Sequence, residues 1–161
     1  MEKIEELFKS EYIDIPEINA AKSINKAEVK FANIKMFLKK REKISFDPNK
    51  KKRIVFCKIN GQINFEEAIE YITSRKGIFP NVEGLFAALS IIDNKVPLNK
   101  NVPIFGFDID AKLWEPDPDR KALFVPIIVI KKDCLYFGLS SFGSRPNMPC
   151  TENMYLIYFI E

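Results

Sequence analysis

Asp108, Asp110, Glu115, Asp117 and Asp119 fall within twelve residues, directly after an apolar run. Carboxylates gathered at a strand end suit a hard divalent cation such as Mg²⁺ or Ca²⁺, which takes oxygen ligands. Asp108, Asp110, Asp117 and Asp119 are the candidate metal ligands, with Mg²⁺ as the cofactor they would hold. The spacing is not that of an EF-hand, which needs a loop glycine and a terminal bidentate Glu. Asp117-Pro118-Asp119 equally suits an ordinary turn, because Asp hydrogen-bonds its own backbone.

Two enzyme patterns overlap this segment. Phe105-Gly106-Phe107-Asp108-Ile109-Asp110 resembles the nucleophile motif of haloacid-dehalogenase-like phosphatases, an apolar strand ending in DxD. The Gly-Thr that follows in that family is Ala111-Lys112 here. Only 51 residues remain after Asp110, too few for that parallel α/β core. Asp110-Ala111-Lys112 in turn resembles the active site of the PD-(D/E)xK nucleases. The resemblance implies Asp93 as an upstream acid and Glu83 or Glu70 as a helix acid. Mg²⁺ would sit on the carboxylates, and Lys112 would position the attacking water. Asp93, however, falls at a predicted helix end rather than on a strand.

The chain contains no histidine. Ser-His-Asp triads, Cys-His dyads and His-ligated zinc, iron or haem are thereby excluded. Gly138-Leu139-Ser140-Ser141-Phe142 is not a nucleophile elbow, since phenylalanine replaces the second glycine. The six glycines are scattered singly, so no glycine-rich phosphate loop exists. Cys57, Cys134 and Cys150 are far apart and contain no CxxC, which argues against zinc and a disulfide framework. Cys57, inside an apolar run, reads as a small buried hydrophobe.

The second charged feature is basic. Residues 22–58 hold 13 Lys and Arg against Glu28, Glu42 and Asp47. Lys39, Lys40 and Arg41, with Lys51, Lys52 and Arg53, are the candidate phosphate contacts for a nucleic acid, which binds by counterion release. No aromatic residues interleave with them to stack bases. A solvated helix face and a solubilising loop account for the same run.

These residues must be carried by elements. Residues 2–10 read as a short helix with Ile4, Leu7 and Phe8 on one face. Asp14-Ile15-Pro16-Glu17 reads as a helix start, followed by Ile24, Ala27, Phe31, Ile34 and Leu38 at helical spacing up to about Lys43. Arg53–Ile59 is a strand, apolar on both sides. Asn64 and Glu67 form a capping box that opens a helix ending at Gly77. A further helix starts at Pro80-Asn81. Residues 102–107, 122–130, 134–141 and 154–160 are strands, the middle two a hairpin. Pro126 implies an edge or a bulge.

Helices first and strands last give an α+β fold in a single domain, 1–161, with a helical region over 1–50 and a sheet-containing core over 51–161. The expected sheet has about four to five strands, is mainly antiparallel, ends in a meander and carries the helices on one face. No apolar run is long enough for a membrane span and the first residues do not form a signal peptide. The expected protein is soluble and cytoplasmic. Missing catalytic machinery points to a non-enzymatic binding module with a macromolecular partner, protein ahead of nucleic acid. The alternatives are a Mg²⁺-dependent carboxylate nuclease or phosphoesterase, and nucleic-acid binding through 22–58.

Overall fold

The computed structural model describes residues 2–16, 28–29, 46–92, 95–96, 98–108, 124–131, 135–141 and 154–161. Their elements are β1 (Ile4–Lys9), β2 (Glu28–Val29), β3 (Arg53–Ile59), α1 (Phe65–Ser74), α2 (Asn81–Ile92), β4 (Ile104–Phe105), β5 (Phe124–Ile130), β6 (Leu135–Ser141) and β7 (Tyr155–Ile160). The strands form one mixed sheet in the order β1-β3-β7-β4-β5-β6-β2. The β4–β7 and β2–β6 pairs are parallel and the other pairings antiparallel. The α+β class and the mainly antiparallel sheet hold. No helix among the described residues is long and apolar enough to cross a membrane.

The sheet is larger than the expected four to five strands, because β1 and β2 come from stretches read as helix. In β1 the helical spacing of Ile4 and Phe8 has another cause. The register against β3 slips between Glu6 and Phe8, leaving Leu7 as an extra residue. Ile4 therefore turns to one face of the sheet and Phe8 to the other, where they join different cores. A bulged strand can thus imitate the four-residue spacing of a helix. Glu28 and Val29 lie inside the expected long helix, yet they pair with Tyr136 and Phe137 of β6. The rest of that helix lies outside the described residues.

The helices occupy opposite faces rather than one. Alternation along β3 and β7 explains how. Ile54, Phe56, Ile157 and Phe159 pack with Leu85 and Ile92 of α2. Val55, Cys57, Leu156 and Tyr158 pack with Ala68 and Ile72 of α1. These central strands are covered on both sides, and such strands read as continuous apolar runs. The hairpin β5–β6 forms as expected. The meander stops there, because β7 inserts between β3 and β4. Pro126 sits in an interior strand without a break in the β5–β6 register. It is tolerated because β4 meets β5 only at Ile127 and Ile128, leaving Pro126 beyond that short ladder.

Candidate functional site

Helix α1 is fixed by its own sequence. Asn64 Oδ1 accepts from Glu67 N at 2.8 Å, and Asn64 N donates to Glu67 Oε2 at 2.8 Å, closing the expected capping box. The helix ends where Gly77 N donates to Ile72 O at 2.8 Å, with Lys76 at φ 55°. A Cβ at Gly77 would stand 2.7 Å from both Ile72 Cγ2 and Tyr158 Cδ2, so only glycine lets the chain pass there. Phe65, Ala68 and Ile72 face the sheet.

The side of α1 beside the edge strand carries Glu67, Glu70, Tyr71, Ser74 and Arg75, a stripe at three- and four-residue spacing. Together with Glu2, Lys3, Ile4 and Ile63 it lines a cavity of about 400 Å³. Lys3 Nζ meets Glu67 Oε1 at 2.5 Å, and the ammonium together with the Asn64 N–H holds this carboxyl below its usual range. The Arg75 guanidinium lies 3.6 Å from the Tyr71 ring centroid and donates to Tyr71 O and Ser74 Oγ, each at 3.3 Å. Beneath the cavity Tyr71 neighbours the buried Cys57 thiol. Burial pushes the Cys57 thiol up to about 12 and the Tyr71 hydroxyl up to about 12. Burial also raises Tyr158, whose hydroxyl has no hydrogen-bond partner among the described residues. Both the thiol and the phenol therefore stay protonated at neutral pH, which removes them as nucleophile or base.

One wall of this groove is a strand edge that no other described strand covers. Asn60 N donates to Lys3 O at 2.8 Å, so the backbone groups of Lys3 and Glu5 point at β3. Those of Ile4 and Glu6 point away from the sheet, where no strand among the described residues pairs with them. The slip at Leu7 ends this receptive stretch.

Of the residues singled out in the sequence for a site, Glu70 lines the cavity, and Asp108, Glu83, Lys51, Lys52 and Arg53 do not. Asp108 is fully buried, and its Oδ2 accepts from Val82 N at 3.1 Å. It serves as the N-terminal cap of α2, helped by Phe107 O, which accepts from Asn81 N at 3.1 Å. Asp110, Asp117, Asp119, Asp93 and Lys112 lie outside the described residues, as do Lys39, Lys40 and Arg41. Glu83 shares the first turn of α2 with Val82, whereas Glu70 is on the helix of the opposite face. Among the described residues no group of three or more Cys, Asp or Glu is placed to hold a metal ion.

Lys51, Lys52 and Arg53 do not form one basic face. Lys51 is exposed. Lys52 is fully buried: its Nζ donates to Asp47 O and, at 2.5 Å, to Lys50 O, and lies 5.0 Å from the Phe46 ring centroid and 3.8 Å from Glu161 Oε1. Burial lowers its pKa despite the carboxylates of Glu161, Asp47 and Asp14 nearby. Arg53 Nε donates to Ser10 O at 2.7 Å and its guanidinium lies over Tyr12. Lys52 is committed to internal bonds, and Arg53 is tied through Ser10 O to the chain just after β1.

The groove was missed because β1 read as helix. Helix α1 was visible in the sequence through its capping box, but its opposite wall was not. Comparison with protein families, with curated proteins and with solved structures finds no match to this chain.

Proposed function

We propose that the protein is a non-enzymatic binding module that takes an extended polypeptide segment into the groove between β1 and α1. The observation that carries this reading is the pairing of a strand edge that no other described strand covers, at Ile4 and Glu6, with a cavity beside it. An added strand gains affinity from main-chain hydrogen bonds, and the neighbouring cavity selects a side chain. The volume of about 400 Å³ lies in the range of pockets that accept small groups. The bulge at Leu7 keeps the receptive edge short, which guards against open-ended strand pairing.

The test is selection of a displayed library of random linear peptides against the full chain. Glu6→Pro removes an outward N–H at an edge, where proline is tolerated. Ser74→Trp fills the cavity, and Ser90→Trp places the same bulk on the exposed side of α2. Selected peptides should lose binding to the first two variants and keep it with the third. Thermal melts confirm that each variant folds. Peptides that ignore Glu6→Pro and Ser74→Trp would refute the groove.

A further inference from the structure

We infer that the side chain this groove selects is basic, an arginine or a lysine; the inference rests on the groove reading above. Of the charged groups lining the cavity, the cations are already engaged. Lys3 is paired with Glu67 at 2.5 Å. Arg75 lies against Tyr71 and donates to Tyr71 O and Ser74 Oγ. Glu2 and Glu70 are exposed and make no ion pair among the described residues, so the cavity keeps a negative surplus.

The floor supplies a second requirement. Ile4, Ile63 and the Tyr71 ring offer an apolar wall, and arginine and lysine lay aliphatic stems on such surface while their charged heads stay wet. A neutral apolar side chain would leave Glu2 and Glu70 unanswered, and an acidic one would be repelled by them.

The peptides recovered in the selection above are the probe. Those that depend on the groove should share arginine or lysine at one fixed position. A fluorescent copy of one such peptide, read by anisotropy, should lose about twofold to fivefold in affinity when that residue becomes norleucine, the size expected for exposed charge pairs. The loss should shrink as salt rises. Glu70→Lys should reverse the preference, so that a peptide with glutamate at the position binds better than its basic parent. Groove-dependent peptides without a shared basic position, or a Glu70→Lys protein with unchanged preference, would overturn this inference and leave the groove standing. Absence of any groove-dependent peptide would overturn both.

Discussion

Helices α1 and α2 cover opposite faces of one sheet and differ in what they leave to solvent. Buried residues of α2 include Val82, Gly84, Leu85, Phe86, Leu89 and Ile92, whereas those of α1 are Phe65, Ala68 and Ile72. The first helix takes its cap from neighbouring residues, Asn64 and Glu67. The second takes its cap from Asp108, beyond its far end in the sequence. Gly84 brings α2 so close to β7 that a Cβ there would stand 2.6 Å from Phe159 Cε2. A helix packed this tightly is a core element, with little of its surface left for a ligand. A helix capped by its own sequence can leave one side free, and on α1 that side borders the cavity.

The contrast breaks most easily at the core. Leu85→Ala should lower stability by about 2–5 kcal/mol, the usual cost of emptying a packed site. Glu70→Ala, on the outer side of α1, should stay within about 0.5 kcal/mol. Urea unfolding of the two variants measures both, and equal losses would erase the distinction between the helices. The caps sharpen it. Asp108→Ala leaves a buried amide without its acceptor and should cost about 1–3 kcal/mol, against about 1 kcal/mol for Asn64→Ala at a part-buried cap. The reverse order in the same unfolding assay would mean that α2 depends less on its distant cap than α1 does on its local one.

The smallest effect concerns pH. Glu67 has its carboxyl pKa depressed in the folded chain, by Lys3 first and then by the Asn64 N–H. The stability it contributes is fully present above its ordinary value of 4.5 and is lost as pH falls from there through the folded value. Solvent screens this exposed pair, so the change amounts to a few tenths of a kcal/mol. Lys3→Met should flatten the stability profile in that window, and an unaltered slope would show that the pair does not set it.

Much of this architecture was legible where the deciding interactions are local. Asn64 and Glu67 announced α1, and the doubly apolar run Arg53–Ile59 announced a covered strand. The β5–β6 hairpin was visible because its two runs are adjacent. What could not be read depends on partners far away in the chain. Ile4 and Phe8 show helical spacing until the bulge against β3 assigns them to different faces. Glu28 and Val29 become strand through β6. Asp108 stood out as a strand-end carboxylate, but its use is decided by the amide of Val82. In the run Lys51-Lys52-Arg53, charge alone gave no sign that the middle ammonium would be buried. Half of the candidate site was therefore visible, the helix, and the strand facing it was not.

The position of β7 between β3 and β4 has a consequence during synthesis. As the chain leaves the ribosome, β3 can find β1 at once, but its other edge stays bare until residues 155–160 have been made. An apolar strand waiting unpaired for so long is a target for aggregation, and long-range pairings of this kind form slowly. Lys50, Lys51 and Lys52 immediately precede it, and Arg53 and Lys58 lie within it. Charges that flank an unavoidable apolar strand act as gatekeepers in the nascent chain. Lys52 then has two lives: a solvated charge that keeps neighbouring chains apart before folding, and a desolvated one, bonded to the carbonyls of Asp47 and Lys50, once β7 arrives.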